Sequence, residues 1–107
     1  MEEVKKIYCF DLDNTLCRTQ GNIYEEAVPI PERIEHVNRL FSLGHTIIID
    51  TARGCSGKRD WYEYTYNQLV TWGVNFHTLR TGVKFGADFF IDDRAFNDKD
   101  FFENGVL

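Results

Sequence analysis

The sequence predicts an α/β fold built on a mainly parallel sheet. Short apolar runs recur along the chain between segments of helical spacing, and three of these runs end in clusters of polar side chains. Apolar runs without strict alternation are typical of parallel strands that are covered on both faces. Right-handed crossovers leave few topologies, and we expect the strand order 4-1-2-3. The prediction is one three-layer domain, residues 1–107, with a four-stranded sheet.

Helical periodicity and helix-ending residues define two helices between the strands. The first begins at Pro31, which suits the first helical position, and ends before Gly44. The second runs from about residue 60 to 72 and carries aromatic side chains nearly all round, so it needs two packing partners. The predicted strands are 6–10, 46–49, 74–79 and 87–91, with at most one helical turn near 83–85 and another turn at 101–105.

Composition and charge limit the partners and the compartment. Hydrophobic residues make up 43% of the chain, enough for a folded globule, and the net charge of −5 offers no attraction to nucleic acid or an anionic membrane surface. No apolar segment reaches membrane-spanning length and no signal peptide is evident, so we expect a cytoplasmic protein. The three cysteines are expected to be reduced thiols, with Cys9 buried in a strand and Cys17 and Cys55 in loops.

Polar residues follow three of the four predicted strands at their carboxyl ends, where α/β sheets bind ligands. Lys84 precedes the fourth strand and can reach the same rim. Carboxylates, a hydroxyl and an ammonium group together indicate a Mg²⁺ site facing a phosphate. Taken singly, each cluster could equally be a turn or a cap, and Lys84 could be a solvated lysine. The clusters are Asp11 with Asp13, Thr51 with Arg53, and Asp92 with Asp93.

These residues lie in four motifs that resemble those of the haloacid dehalogenase superfamily. YCFDLDNTL is similar to the first motif, IIIDT to the second, Lys84 to the lysine of the third, and FFIDD to the acidic fourth. The motifs occur in order over nearly the whole chain, and they imply a Rossmann-like core. TxRG after the second strand and IDDRA near the end resemble, more closely, small capless phosphatases encoded in capsule-polysaccharide gene clusters.

The resemblance implies a role for each matching residue. Asp11 would be the nucleophile that forms an aspartyl-phosphate, and Asp13 the acid and then the base. Thr51 would hydrogen-bond the phosphoryl oxygens, and Lys84 would offset their charge. Mg²⁺ would be bound by Asp11, by the Asp13 carbonyl and by Asp92, with Asp93 binding directly or one contact further out. Asn14 and Arg53 are the candidate substrate contacts, although Arg53 could instead pair with Asp50 or Asp93.

The implied function is Mg²⁺-dependent hydrolysis of a phosphomonoester, with a small phosphorylated sugar or polyol for surface-polysaccharide biosynthesis as substrate. The alternatives are a phosphatase of nucleic-acid 3′ ends and a non-catalytic phosphate- or metal-binding module. The chain has no room for a cap domain, so only residues 16–28 and 54–60 could cover the site. A homodimer is favoured, with Trp61, Tyr62 or Tyr64 at the contact, because one sheet face cannot bury every aromatic side chain of the second helix.

Overall fold

The computed structural model describes residues 4–105, which form a parallel sheet, a small hairpin and three helices. None of the described helices is long and apolar enough to cross a membrane. The strands are β1 (Ile7–Phe10), β2 (Cys17–Arg18), β3 (Val28–Pro29), β4 (Thr46–Thr51) and β5 (Thr78–Thr81). The helices are α1 (Pro31–Ser42), α2 (Tyr62–Thr71) and α3 (Asp98–Glu103), and Tyr24–Glu26 form a 3₁₀ turn between β2 and β3.

The main sheet is parallel and has the order β1-β4-β5, so the predicted order of the first three strands is confirmed. Cys9 is paired with Ile48, as expected for neighbouring first and second strands. The third strand was placed too early, at 74–79. The backbone N–H of Val74 still bonds to the Leu69 carbonyl at the end of α2, and pairing with β4 begins only at Thr78.

The predicted fourth strand, residues 87–91, is not a strand in the structure. Phe89 and Ile91 are 84% and 96% exposed, and β1 has no neighbour on its outer edge in the described part of the chain. The reason is the connection: only residues 82–86 separate β5 from this segment, whereas a parallel crossover usually takes a dozen or more residues. The helical turn expected at 83–85 is also absent. A groove of about 1180 Å³ remains between β1 and the segment.

The core lies between the sheet and helices α1 and α2, with α3 closing one end. Helix α1 begins at Pro31 and ends before Gly44, whose φ of 93° suits glycine. Helix α3 begins earlier than the turn predicted at 101–105, because the side chain of Asn97 caps it by accepting a hydrogen bond from the Lys99 N–H. The buried core is made of Phe10, Leu12, Leu16, Cys17, Ile34, Val37, Leu40, Ile47, Ile49, Leu69, Val74, Leu79 and Phe101.

Two cysteine predictions were wrong for reasons that this packing makes clear. Cys9 is exposed, because it points to the opposite face of β1 from the buried Phe10, as does Ile7, which is 72% exposed. Cys17, expected in a loop, is fully buried in β2, where the hairpin folds under the site. Cys55 lies in an exposed loop, as expected. The hairpin therefore brings Cys17 into the core, while most of residues 18–29 stay exposed.

Helix α2 divides its aromatic side chains between the chain itself and solvent. Trp61 packs edge-to-face on Tyr24, with ring centroids 4.9 Å apart, and Tyr64 packs on Trp61 at 5.6 Å. Tyr62 and Tyr66 stack on each other and are each 43% exposed. Trp61 and Tyr64 thus have partners within the chain. The homodimer stays a prediction, and the Tyr62–Tyr66 face is the part of α2 that it could cover.

Candidate active site

Asp11 lies directly after β1 and carries one hydrogen-bond donor on each carboxylate oxygen. The Nζ of Lys84 donates to Oδ1 at 3.0 Å, and the Oγ1 of Thr15 donates to Oδ2 at 2.9 Å. The Asp11 side chain is 41% exposed and lines the groove beside β1. The structure therefore brings together Asp11 and Lys84, which are 73 residues apart in sequence. Both carboxylate oxygens still have free lone pairs towards the groove.

The loop after Asp11 is wound tightly around one carbonyl group. The N–H groups of Thr15 and Leu16 both donate to the Leu12 carbonyl, at 3.1 and 2.8 Å. Asn14 has a φ of 62°, a left-handed conformation that asparagine tolerates better than most residues. Its Oδ1 accepts the N–H of Thr19 at 3.0 Å, so the side chain of Asn14 closes the loop. The amide nitrogen and one lone pair of Oδ1 are left for a ligand at this predicted substrate contact.

Asp13 is held by Arg53, which is fully buried. Arg53 donates from Nε to Oδ2 at 3.0 Å and from Nη2 to Oδ1 at 2.8 Å, a bidentate pair. The hydroxyl of Thr19 donates to the same Oδ1 at 2.7 Å. The alternative pairing of Arg53 with Asp50 or Asp93 was wrong, because the arginine turns inward towards Asp13. At 0% exposed, Arg53 is also not placed to make the substrate contact predicted for it.

The remaining donors of Arg53 are used by helix α2 and by the hairpin. Nη1 donates to Thr65 Oγ1 at 3.2 Å and to Gln68 Oε1 at 2.7 Å. The ring of Tyr24 lies over the guanidinium, 4.5 Å from its carbon, and the Gln68 amide donates to the Tyr24 carbonyl at 2.9 Å. Burial of Tyr24, and secondarily the charge of Asp13, raise the pKa of its hydroxyl. One buried guanidinium thus joins the Asp13 loop, α2 and the hairpin.

Thr51 ends β4 and is almost completely buried, 1% exposed. Its Oγ1 accepts the N–H of Arg53 at 3.3 Å, the side-chain turn typical of threonine two residues before the donor. The hydroxyl proton remains free to donate. The preceding Asp50 faces Arg80 instead, with oxygen and nitrogen 3.5 Å apart. Thr51 does not line the groove beside Asp11, so its contact with a phosphoryl group stays a prediction.

The acids of the fourth motif reach the groove only in part. Asp92 lines the groove together with Asp11 and Lys84, while its Oδ1 accepts the Arg94 N–H at 2.8 Å. That backbone hydrogen bond lowers the pKa of Asp92. Asp93 points into solvent, 89% exposed and 4.0 Å from Arg94. These acids stay apart from Asp11 because their segment is not paired with β1.

The donor types in the groove suit Mg²⁺, which takes one or two carboxylates and completes its shell with water and phosphate oxygens. Asp11 and Asp92 are two of the four aspartates that line the groove, together with Asp50 and Asp98. Within residues 4–105, however, no three His, Cys, Asp or Glu side chains are close enough together to hold one ion. The side chains are of the type that binds Mg²⁺. Binding of one ion by both Asp11 and Asp92 requires Asp92 to move towards Asp11.

Three site residues were missed from the sequence: Thr15, Thr19 and Gln68. Thr15 and Thr19 lie four and six residues after the acids that they contact. Hydroxyls at this spacing in a tight loop are a usable signal, since such loops fold back on the preceding side chains. Gln68 offered no signal, because its contact with Arg53 depends on how α2 packs against the loop after β4.

Comparison with known proteins places the fold but names no activity. No family model and no curated protein matches the chain. The structure is similar to the crystal structure of a structural-genomics target from Vibrio cholerae, with 30% sequence identity and a TM-score of 0.78. The match covers 94% of this chain and 89% of that one, and the description of the Vibrio cholerae protein states no function. With this identity over nearly the full length of both chains, the protein belongs to the same family as that Vibrio cholerae protein.

Proposed function

We propose that the protein hydrolyses phosphomonoesters through Asp11, as a capless phosphatase of the haloacid dehalogenase type. One observation carries the proposal: Asp11 lies at the end of a parallel strand, faces an open groove, and has an ammonium group on one oxygen and a hydroxyl on the other. A lysine in that place can offset charge on a phosphoryl group that reacts with the carboxylate. The four motifs of the sequence support the same reading.

In the first step an oxygen of Asp11 attacks phosphorus, and the bond from phosphorus to the ester oxygen breaks. The products are an aspartyl-phosphate and an alcohol that takes up one proton. Lys84 holds Asp11 and offsets charge on the phosphoryl oxygens, and the free proton of Thr51 is available to one of them. In the second step water attacks the aspartyl-phosphate, which restores the Asp11 carboxylate and releases inorganic phosphate.

Asp13 is assigned the proton transfers of both steps. It would give its proton to the leaving alcohol and later take one from the attacking water. Of its two oxygens, Oδ1 accepts from both Thr19 and Arg53, whereas within residues 4–105 Oδ2 accepts only from the Nε of Arg53. We assign the transfers to Oδ2, because it can be released by breaking a single hydrogen bond. The buried guanidinium keeps its hydrogen bond to Oδ1 and so fixes the orientation of the Asp13 side chain while Oδ2 transfers the proton.

Mg²⁺ would be held by Asp11, by the carbonyl of Asp13 and by Asp92, with Asp93 close by. When bound, the ion would offset negative charge on the phosphoryl oxygens. We propose that this arrangement forms when residues 87–91 pair with the free edge of β1 as a fourth strand. Residues 82–86 are a short connection for this pairing, so we expect the fourth strand to form only when bound Mg²⁺ and phosphate offset the cost of stretching it.

The pairing is tested by nuclear Overhauser contacts between the backbones of residues 7–10 and 87–91, recorded with Mg²⁺ and inorganic phosphate and again without them. Cross-strand contacts that appear or strengthen with the ligands are expected. Their absence under both conditions would leave a three-stranded sheet and would remove Asp92 from the metal site.

The substrate proposed is a small phosphorylated sugar or polyol. The groove beside Asp11 is open, and the chain as a whole carries a net charge of −5, which favours a small ligand bound through its phosphate over a polyanion. A panel of sugar phosphates, nucleotides and 3′-phosphorylated oligonucleotides, assayed by phosphate release, separates the candidates. A preference for the oligonucleotides would favour the phosphatase of nucleic-acid 3′ ends. The absence of phosphate release from every substrate would favour a non-catalytic binding module.

The central experiment compares Asp11→Asn with Glu35→Gln, a matched change at an exposed position of α1. Asp11→Asn is expected to abolish Mg²⁺-dependent release of phosphate from p-nitrophenyl phosphate, while its thermal unfolding midpoint stays close to that of the wild type. Glu35→Gln is expected to keep both properties. Activity in Asp11→Asn would rule out this nucleophile, and activity that persists in EDTA would rule out the metal.

A further inference from the structure

Arg33 is a buried charge outside the reacting groups. It lies in the first turn of α1, only 5% exposed, and its guanidinium stacks 4.8 Å from the centre of the Phe102 ring. Nη1 contacts Asp98 at 2.6 Å, and Nη2 contacts Glu103 at 3.1 Å, so both acids of the pair come from the C-terminal helix α3. Burying a guanidinium costs free energy that ion pairs of this kind only partly offset. A contribution to stability is therefore a weak explanation for the burial of Arg33.

A third contact of Arg33 leads to the active site. Its Nη1 also donates to the backbone carbonyl of Thr15 at 3.0 Å. The side chain of this same Thr15 donates to Oδ2 of Asp11 at 2.9 Å. Two hydrogen bonds therefore separate the guanidinium from the nucleophile. A neighbouring backbone bond, from the N–H of Ile30 to the carbonyl of Leu16 at 2.9 Å, joins the same loop to the start of α1.

We propose that Arg33 is a positioning residue: with Asp98 and Glu103 of α3, it fixes Thr15 so that the threonine hydroxyl sets the orientation of the Asp11 carboxylate. The inference deepens the proposed phosphatase function and rests on it for its catalytic consequence. The last torsion of an aspartate side chain is broad and roughly two-fold, so the carboxylate plane needs external hydrogen bonds to define it. Lys84 fixes one oxygen and Thr15 the other.

The role assigned to α3 follows from the same geometry. Asp98 is 27% exposed and lies closest to the guanidinium, whereas Glu103 is 61% exposed and lies at its other end. Asp98 should therefore matter more than Glu103 for holding Arg33. Because Arg33 presents a rigid fork to three acceptors, a lysine in its place keeps the charge and cannot make all three contacts. The C-terminal helix thus acts on the nucleophile without touching it.

The direct test measures the Thr15 side chain in the full-length protein. Three-bond scalar couplings across its Cα–Cβ bond report whether one rotamer or several are populated. The wild type is expected to show one rotamer, and Arg33→Lys and Asp98→Asn to show averaged couplings. Arg39→Lys, the same change at an exposed position of α1, serves as the control and should leave the couplings unchanged. A single Thr15 rotamer in folded Arg33→Lys and Asp98→Asn would overturn the proposal.

The catalytic consequence is measured with p-nitrophenyl phosphate and Mg²⁺. Misplacing a reacting group by a fraction of an ångström to an ångström costs up to about 100-fold in rate, and we expect Arg33→Lys to lower kcat by about 10-fold with KM changed less than about 2-fold. Thr15→Val should lower kcat comparably, and adding Arg33→Lys to it should lower kcat no further. Multiplying effects would show that Arg33 does not act through Thr15. A wild type without turnover would sink the proposed function, while the coupling measurement would still decide the role of Arg33.

Discussion

Replacing Arg53 by methionine tests how strongly the buried guanidinium holds the site together. The change removes a charge that is fully buried, its two hydrogen bonds to Asp13, and its contacts to Thr65 and Gln68. Breaking a buried pair by deleting one partner typically costs about 3–5 kcal/mol. Asp13 is itself 21% exposed and can regain water, so we expect the lower end, about 3 kcal/mol. For a domain of 107 residues this corresponds to a fall of roughly 12 °C in Tm.

The assay is urea unfolding followed by tryptophan fluorescence, supported by a thermal scan. Arg80→Met is the matched control, because Arg80 forms a surface pair with Asp50 at 3.5 Å and is 55% exposed. Such exposed pairs contribute about 0–1 kcal/mol. A loss below about 1 kcal/mol in Arg53→Met, or equal losses in the two variants, would show that the Asp13–Arg53 pair does not organise this part of the fold.

Two further predictions concern the core and the pH dependence. Phe101→Ala removes a buried ring that packs on Phe10 and His36, and it should cost about 3–5 kcal/mol in urea unfolding, whereas Phe85→Ala, at a side chain 83% exposed, should stay within about 0.5 kcal/mol. Burial, and secondarily the charge of Arg39, lower the pKa of His36 below its ordinary 6.5, and its Nε2 has no hydrogen-bond partner among the described residues. His36 therefore takes up a proton more readily in the unfolded chain than in the folded one. The free energy of unfolding is at its full value above pH 6.5, and part of it is lost as the pH falls from 6.5 through the lowered pKa of the folded state. His36→Gln should flatten that part of the stability profile, and an unchanged profile would contradict the assignment.

The sheet was predictable where local pattern and long-range pairing agree. β1 is apolar over its whole length and β4 over residues 47–49, and each finds the neighbour that right-handed crossovers require. Residues 87–91 have the same apolar pattern but form no strand, because pattern reports what a segment could bury and not whether its connection reaches a partner. The five-residue connection before it was visible in the sequence. Whether five residues are enough depends on how many strands the connection must pass, and that number follows from the strand order of the folded sheet.

The candidate site divides in a similar way. Asp11 and Lys84 were identified from the motifs, and the structure places them in contact at 3.0 Å. The partner of Arg53 was misjudged because three acids compete for it, and only the inward turn of the loop after β4 selects Asp13. Arg33 gave no functional signal at all. Its partners lie 65 and 70 residues further along the chain, and such separations are set by tertiary packing.

The measurement that tests the central claim most directly is acid-quenched single turnover with a phosphoester labelled on phosphorus, followed by mapping of the labelled peptide. Phosphoryl transfer to Asp11 predicts that label appears on that aspartate before free phosphate is released, and that Asp13→Asn, which impairs the attack of water, lets the labelled species persist longer. Free phosphate that appears without any label on Asp11, in the wild type and in Asp13→Asn alike, would contradict the account.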